Sequence, residues 1–140
     1  MRYLLDTNIF LYIATDPDLL SVDVHALLDE PDAVWCMSTV SLQELIIGYN
    51  NKSFDVKHWK SAEELVKAVT EEYFIQVLLI KPEHIHTYAR LRPNVAKGHK
   101  DPFDHLIISH AITEGLPLIS SDERFPFYTR QGLDLIFNEK

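Results

Sequence analysis

The feature that most constrains the fold of this chain is a regular alternation of short apolar runs and longer segments with helical periodicity. Five apolar runs are predicted strands, at residues 3–5, 34–37, 74–80, 116–119 and 133–137. The segments between them place apolar residues three and four positions apart, as amphipathic helices do. Because helices separate successive strands, the pattern predicts an α/β fold, a three-layer α/β/α sandwich around a central, mostly parallel sheet. The length of 140 residues predicts a single domain, residues 1–140.

Local signals predict where several of these elements begin and end. Ser41 is a predicted N-cap, with Glu44 three positions later as its capping-box partner. Asp101 followed by Pro102 predicts the start of another helix, and Gly115 predicts its end. The run FIQVLLI is apolar almost throughout, which favours a strand covered on both faces.

Composition excludes several classes of protein. With 13 basic and 21 acidic residues the chain has a formal net charge of −8, which disfavours a nucleic-acid-binding protein with a broad basic surface. A single cysteine, Cys36, excludes an intramolecular disulfide and a cysteine-built metal site. No apolar run approaches the roughly 20 residues of a membrane span, and a signal-peptide pattern is lacking. We therefore expect a cytoplasmic protein without a membrane partner.

Acidic residues follow two predicted strands and lie near the start of two predicted helices. Asp6 ends the first strand and Asp122 follows the fourth, whereas Glu44 and Asp104 lie near helix starts. The carboxyl ends of parallel strands and the starts of the helices that follow share one edge of a sheet, so we expect the four carboxylates to converge. A simpler interpretation of Asp6 is an N-cap of the following helix, and the sequence leaves both interpretations open.

A converging set of carboxylates needs a compensating cation. Two carboxylates about 4 Å apart repel by roughly 4 kcal/mol at an effective dielectric constant near 20. A hard divalent cation bound through oxygen removes this repulsion, and oxygen-only ligands favour Mg²⁺ or Mn²⁺ over Zn²⁺. The chemistry that such a site predicts is hydrolysis of a phosphodiester by metal-activated water.

The four acidic segments resemble the motifs of a known family. In chain order, LLDTN, VSLQELIIG, DPFDHLIISHA and LISSDERF are similar to the four motifs of PIN-domain ribonucleases, and most of all to the VapC-like toxins of toxin–antitoxin pairs. The similarity extends from Met1 to about Phe137. It implies that the catalytic and metal-binding acids are Asp6, Glu44, Asp104 and Asp122, and that the supporting polar residues are Thr7, Asn8, Ser120 and Ser121.

The resemblance implies a function as well as a site. That function is a Mg²⁺-dependent endoribonuclease, with Mn²⁺ as an alternative ion, which cleaves RNA and acts as the toxin of a toxin–antitoxin pair. The implied partners are an RNA substrate, a cognate antitoxin protein and a second copy of the chain in a homodimer. The segment DPFD contains two acids: Asp104 matches the family position, and Asp101 is either the helix cap or a supporting residue of the site.

A basic edge is predicted beside the acidic motifs. Lys97, His99 and Lys100 precede the third motif, and Arg124 follows the fourth acid. These side chains are suited to bind an RNA backbone, and a solvated basic loop explains the same residues equally well.

Three other functions remain open at this point. A catalytically silent PIN-like binding module would keep the fold without the chemistry. A response-regulator phosphoacceptor needs an acidic pair after strand one and an acceptor aspartate after strand three, whereas Asp6 stands alone and FIQVLLI ends in Lys81. A phosphatase of the haloacid-dehalogenase type needs a second aspartate two residues after the first, where this chain has Asn8.

Overall fold

The computed structural model describes residues 1–93 and 98–139, and its centre is a five-stranded sheet. The strands are β1 Arg2–Leu5, β2 Val34–Ser38, β3 Gln76–Leu78, β4 Leu118–Ser120 and β5 Leu135–Phe137. Their order across the sheet is β3-β2-β1-β4-β5, and each neighbouring pair is parallel. The predicted α/β fold with a parallel sheet is confirmed.

Helices cover both faces of this sheet. They are α1 Thr7–Thr15, α2 Val22–Leu28, α3 Thr39–Asn51, α4 Ala62–Glu71, α5 Pro82–Arg90 and α6 Pro102–Glu114, with 3₁₀ segments at Pro17–Leu19 and Phe125–Gln131. Within residues 1–93 and 98–139, no helix combines the length and the apolar character needed to cross a membrane.

The core has two parts because successive side chains of a strand point to opposite faces of a sheet. In β1, Tyr3 and Leu5 belong to the cluster that includes residues of α1, α3 and α4, whereas Leu4 belongs to the cluster that includes residues of α6. Strand β4 alternates in the same way, with Ile119 in the first cluster and Leu118 in the second. This arrangement confirms the three-layer sandwich.

The position of β1 determines where a site can form. The chain places β2 and β3 on one side of β1 and places β4 and β5 on the other, so the strand order reverses at the β1–β4 pair. In parallel sheets a ligand crevice lies at such a reversal, beyond the carboxyl ends of the strands. Asp6 directly follows β1, and Asp122 lies two residues beyond β4, at this edge of the sheet.

Both predicted boundaries of α6 are confirmed. The Asp101 side chain accepts hydrogen bonds from the backbone N–H groups of Phe103 and Asp104, and Pro102 occupies the first helical position. Gly115 ends the helix with a φ of 65°, in the left-handed region that favours glycine. Asp101 is therefore a helix cap, as one of its two interpretations predicts.

The predicted cap of α3 is wrong. Strand β2 passes into α3 without a loop, so the N-cap is Ser38, whose side chain accepts from the backbone N–H of Val40. Ser41 lies fully buried inside the helix, and its hydroxyl has no hydrogen-bond partner among the described residues. Glu44 is consequently one turn further from the start of the helix than the capping-box interpretation requires.

Strand β3 also differs from the prediction, because it is an edge strand. Only Gln76–Leu78 pair, and they pair with β2 alone. Phe74 and Leu79, on either side of these residues, are 82% and 64% exposed. The run FIQVLLI is therefore not covered on both faces, and its apolar character extends beyond the strand.

Replacement of Leu4 by alanine should destabilise the protein strongly, because Leu4 is fully buried in the central strand. We expect Leu4→Ala to lower the free energy of unfolding by about 2–5 kcal/mol, measured by urea denaturation. The matched control is Leu79→Ala, at a position that is 64% exposed, where the loss should stay below about 0.5 kcal/mol. Equal losses in the two variants would contradict the central position of β1 in the core.

Candidate metal centre

Three predicted site residues, Asp6, Glu44 and Asp104, converge in one cleft at the carboxyl edge of the sheet. A carboxylate oxygen of each lies within 4.8 Å of those of the other two. Asp6 comes from the end of β1, Glu44 from α3 and Asp104 from the first turn of α6. Asp6 and Asp104 are buried, and Glu44 is half-buried. Elements far apart in the sequence therefore bring these carboxylates together.

Hydrogen bonds orient the carboxylates of Asp6 and Glu44. Asp6 Oδ1 accepts from the backbone N–H of Thr7 at 2.8 Å, and Asp6 Oδ2 accepts from Ser120 Oγ at 2.7 Å. Thr7 Oγ1 donates to Glu44 Oε1 at 2.6 Å. Ser120 Oγ also accepts from the backbone N–H of Asp122 at 3.1 Å, so one hydroxyl joins the ends of β1 and β4. These contacts fix the acids in place without supplying positive charge.

The hydrogen bond from Thr7 also makes Asp6 the N-cap of α1. The two interpretations of Asp6, as a helix cap and as a member of the acid cluster, are therefore compatible. Asn8 is exposed in the wall of the cleft, and Ser121 is half-buried next to Ser120. The supporting roles of Asn8 and Ser121 stay predictions.

Burial and mutual repulsion raise the pKa values of all three acids. Burial is the largest cause in each case, and the pKa reaches about 6 for Asp6, about 7 for Glu44 and about 9 for Asp104. Neighbouring carboxylates raise these pKa values further, whereas the hydrogen bonds described above lower those of Asp6 and Glu44. The cluster therefore takes up positive charge near neutral pH, as protons or as a bound cation.

The donor atoms of this cluster fit a divalent cation. Asp6, Glu44 and Asp104 offer only carboxylate oxygens, which are the ligands that Mg²⁺ and Mn²⁺ prefer. A bound cation would replace the protons that burial otherwise imposes on these acids. Asp101 lies in the wall of the same cleft, where its negative charge raises the pKa of Asp104, and a supporting role in the site stays a prediction.

Asp122 differs from the other acids because Arg124 neutralises it. Arg124 Nε lies 3.0 Å from Asp122 Oδ1, and Arg124 Nη2 lies 2.8 Å from Asp122 Oδ2, which makes a bidentate ion pair. Burial opposes ionisation of Asp122, but the hydrogen bonds and the charge of Arg124 hold its pKa below the usual value. Arg124 Nη2 also lies 3.8 Å from Asp104 Oδ2, and the side chain is 50% exposed at the cleft.

The prediction that His99 contacts RNA is wrong. The residue is 0% exposed and packs against Asp104, with its Nε2 3.0 Å from Asp104 Oδ2 and its Nδ1 3.0 Å from the Tyr128 hydroxyl. The ring turns inward because both of its nitrogen atoms find polar partners there. Lys100 is exposed next to it, and Lys97 lies outside the described residues. RNA contacts by Lys100 and Arg124 stay predictions.

Two residues of this buried network are missed by the sequence reasoning. Tyr128 donates its hydroxyl hydrogen to the Pro93 carbonyl at 2.6 Å, and His105 Nε2 lies 3.1 Å from the same hydroxyl oxygen. Tyr128 belongs to the 3₁₀ segment after the fourth motif, where neither periodicity nor a motif marks it. His105 lies directly after Asp104 in the third motif, but its partner is identified only by the fold.

A second histidine cluster lies outside the cleft. Ring and carboxylate atoms of His84, His110 and Glu114 lie within 4.8 Å of one another. The backbone N–H of Lys81 donates to His84 Nδ1 at 2.8 Å, so the neutral ring carries its hydrogen on Nε2, which donates to Glu114 Oε2 at 2.6 Å. Because these bonds occupy both His84 nitrogens, the cluster joins α5 to α6 and is a poor metal site.

The raised pKa values predict that the metal-free protein loses stability as the pH rises from 7 to 9. In this range the folded protein holds a proton on Asp104 that the unfolded chain has already released. Rising pH therefore favours the unfolded chain, and the free energy of unfolding falls until the pH passes the folded pKa of about 9. We expect a decrease on the order of 1 kcal/mol per pH unit in urea denaturation with EDTA present.

Two controls distinguish this effect from other titrations. Asp104→Asn removes the titrating carboxylate and should flatten the pH dependence between 7 and 9. Addition of Mg²⁺ or Mn²⁺ to the wild-type protein should restore stability most at the upper end of the range, because the acids are then ionised. An unchanged slope in Asp104→Asn would contradict a raised pKa at Asp104.

Comparison with known proteins agrees with the fold. A model of the PIN domain family matches residues 3–130. The chain is also similar to Ribonuclease VapC2 of Haemophilus influenzae, with 24% identity over 126 residues that cover 89% of this chain and 89% of that protein.

Several solved structures have similar folds, and three of them are VapBC proteins. VapBC2 from Rickettsia felis, bound to a DNA fragment from its promoter, has a TM-score of 0.71 and 21% identity over 99% of this chain and 100% of that chain. VapBC-1 from nontypeable Haemophilus influenzae has a TM-score of 0.69 and 23% identity over 98% of each chain. DNA-bound VapBC from Salmonella typhimurium has a TM-score of 0.65 and 25% identity over 98% of each chain. The resemblance carried by the four motifs is confirmed: this chain belongs to the PIN domain family.

Proposed function

We propose that this chain is a divalent-metal-dependent endoribonuclease that acts as the toxin of a toxin–antitoxin pair. The observation that carries the proposal is the convergence of Asp6, Glu44 and Asp104 in one cleft, with raised pKa values that a bound cation would relieve. Membership of the PIN domain family and similarity to a VapC ribonuclease support the same function. We name Mg²⁺ as the expected ion and Mn²⁺ as the alternative.

The proposed roles of the residues follow from their contacts. A divalent cation in the cleft would activate water as the nucleophile and offset the negative charge of the phosphodiester. Asp6 and Glu44 hold a cation in a fixed place because Thr7 and Ser120 restrain their carboxylates. Asp104 is the third proposed ligand of the cation. Asp122 is the fourth proposed catalytic acid, and two hydrogen bonds from Arg124 orient its carboxylate.

Binding of RNA to this protein depends on local charge, because the chain as a whole carries a net charge of −8. Arg124 is half-exposed at the edge of the cleft, where its guanidinium can leave Asp122 and bind a phosphate oxygen. Lys100, exposed near the start of α6, adds a second positive charge on that side. Affinity for RNA should therefore be weak and sensitive to salt.

The cleft extends beyond the acids and offers a surface for a proposed partner. Beyond the acids, the cleft continues along Leu11, Tyr12 and Phe54, which give it an apolar wall. We propose that a cognate antitoxin covers this extension, since the similar solved structures are VapBC proteins. We also propose that the chain forms a homodimer and is located in the cytoplasm. A catalytically silent module is disfavoured because the acids of all four motifs line the cleft.

Removal of either central carboxylate should abolish cleavage of RNA. We expect Asp6→Asn and Asp104→Asn to lower the cleavage rate at least about 100-fold on a panel of tRNA and synthetic RNA, and EDTA to do the same. Asp134→Asn is the matched control, since Asp134 is exposed and lies outside the cleft. The proposed function would be refuted if purified protein still cleaved RNA in the presence of EDTA and if both cleft variants cleaved it as well.

Substitution of Arg124 should weaken RNA binding without changing the fold. In an Asp6→Asn background, which should not cleave RNA, Arg124→Ala should lower RNA affinity and reduce the slope of log K against log salt by about 0.7 to 0.9. Arg130→Ala is the control, because Arg130 is exposed on the same segment outside the cleft. An equal change in both variants would mean that Arg124 contributes only to the general charge.

A further inference from the structure

The cleft is larger than a cation and a phosphate require. Its volume is about 660 Å³, within the range of about 300–1,000 Å³ that is typical of pockets for whole small molecules. Beyond the acids it continues as a groove, the extension, between α1 and the end of α3 with the loop that follows. Leu11, Tyr12 and Thr15 line the extension from α1, and Gly48 and Phe54 line it from α3 and the loop. The extension therefore has room for a further part of the substrate.

The extension begins directly beside the acids. On α1, Asn8, Tyr12 and Thr15 share one face because they are three and four positions apart. On α3, Gly48 lies one turn beyond Glu44. The rise of α1 from Asn8 to Thr15 is about 10 Å, so the extension reaches about that far from the acid cluster. A group bound there belongs to a nucleotide next to the scissile phosphate.

The aromatic walls of the extension are in place before any ligand binds. A Cβ atom at residue 48 would lie 2.6 Å from Phe54 Cε1, so Gly48 allows the Phe54 ring to pack directly on α3. The buried ring of Trp59 meets Phe54 edge to face, with centroids 6.4 Å apart and an interplanar angle of 82°. Tyr12 contributes a second half-buried ring from α1. Unpaired bases of RNA stack on such rings.

The charges of the extension disfavour a phosphate and suit a base. Its charged side chains are Asp16 and Asp55, both exposed, and among the described residues of the cleft lining the basic side chain is Arg124, which lies at the acids. Carboxylate oxygens repel a phosphate but accept hydrogen bonds from the N–H groups of a base. Asp55 Oδ1 already accepts from the backbone N–H of Lys57, whereas Asp16 makes no cap hydrogen bond to the 3₁₀ segment that follows it. Asp16 is therefore the better acceptor for a ligand.

We propose that the extension binds one unpaired base of the RNA substrate, stacked on Tyr12 and Phe54 and hydrogen-bonded to Asp16, and that this base selects the bond to be cleaved. The base subsite rests on the proposed endoribonuclease function and adds single-stranded RNA as the substrate class. Guanine matches best, because its N1–H and N2–H groups donate side by side to one carboxylate. A cognate antitoxin that covers the extension would exclude the base, so the two occupants compete.

The first test uses wild-type protein alone. It is incubated with Mg²⁺ or Mn²⁺ and a single-stranded oligouridine that contains one guanosine, and mass spectrometry locates the cleaved bond. Cleavage should concentrate at one of the two bonds that flank the guanosine. Inosine, which lacks the 2-amino group, should lower kcat/KM about tenfold in place of guanosine, and an abasic nucleotide should lower it further. Even cleavage along the strand, unaffected by these replacements, would overturn the proposal.

Variants test whether the extension is the part of the protein that recognises the base. Tyr12→Ala should lower kcat/KM for the guanosine strand about tenfold and leave the abasic strand nearly unchanged, whereas Tyr12→Phe keeps the ring and should resemble the wild type. Asp16→Asn presents one acceptor and one donor, so it should remove most of the preference for guanosine over inosine. Asp18→Asn is the matched control, because Asp18 is exposed on the adjacent 3₁₀ segment outside the cleft lining. Full preference for guanosine in both Tyr12→Ala and Asp16→Asn would contradict the base subsite.

The outcomes separate the base subsite from the proposed function. Cleavage of the oligouridine strands regardless of the base would refute the subsite and leave the nuclease intact, with the extension serving the antitoxin alone. Cleavage of tRNA by protein that leaves every single strand intact would also refute it, because one unpaired base would then not direct cleavage. Failure to cleave either kind of RNA with Mg²⁺ or Mn²⁺ would refute the proposed function, and the base subsite with it.

Discussion

The repulsion between buried carboxylates around Asp104 is the constraint on which the rest of the site depends. Asp6, Glu44, Asp101 and Asp122 all raise the pKa of Asp104, in addition to its burial. Two such charges about 4 Å apart repel by roughly 4 kcal/mol at an effective dielectric constant near 20, so the fold has to stabilise an arrangement that is unfavourable by itself. The core supplies that stability through two apolar clusters on opposite faces of the sheet.

The topology explains why this arrangement forms at this edge and at no other edge of the sheet. Strand β1 pairs with β2 on one side and with β4 on the other, so the residue that follows β1 lies at the middle of the carboxyl edge. Ser120, the last residue of β4, reaches across to Asp6 and connects the two strand ends. The first turn of α6, capped by Asp101, brings Asp104 to the same place. Asp6, Glu44 and Asp104 therefore come from three different elements that meet at this edge.

The sequence predicts the parts of the site that depend on local patterns. A strand that ends in Asp6 and a helix that begins at Asp101 are visible in the chain, and the sheet architecture follows from their alternation. The direct passage from β2 into α3 is not visible, because Ser38 and Ser41 are both acceptable caps and only the end of β2 distinguishes them. Apolar residues in FIQVLLI predict a strand but not its place at the edge, which depends on pairing with β2.

A prediction from the charge of neighbouring residues places His99 at the surface. This prediction fails because contacts with residues far away in the sequence determine where the side chain lies. In the sequence it stands between two lysines and resembles part of a basic loop, whereas in the fold it contacts Asp104 and Tyr128. Tyr128 lies in a segment without periodicity, so no local signal connects it to the third motif. A buried imidazole next to a carboxylate is therefore a contact that only the tertiary structure reveals.

The net negative charge of the chain is compatible with its proposed action on RNA. The positive charge at the cleft is located on one side chain, Arg124, which can change its partner. Arg124 neutralises Asp122 through two hydrogen bonds and remains half-exposed, so the same guanidinium can serve the protein or a phosphate. A divalent cation among the acids would release Arg124 from its role as counter-ion to Asp122. In this arrangement, metal binding and phosphate binding favour each other. The cation replaces Arg124 as the counter-ion of Asp122, and the phosphate then becomes the partner of Arg124. A protein with a net charge of −8 would then bind RNA mainly where its acids hold a cation, which confines contact to the cleft.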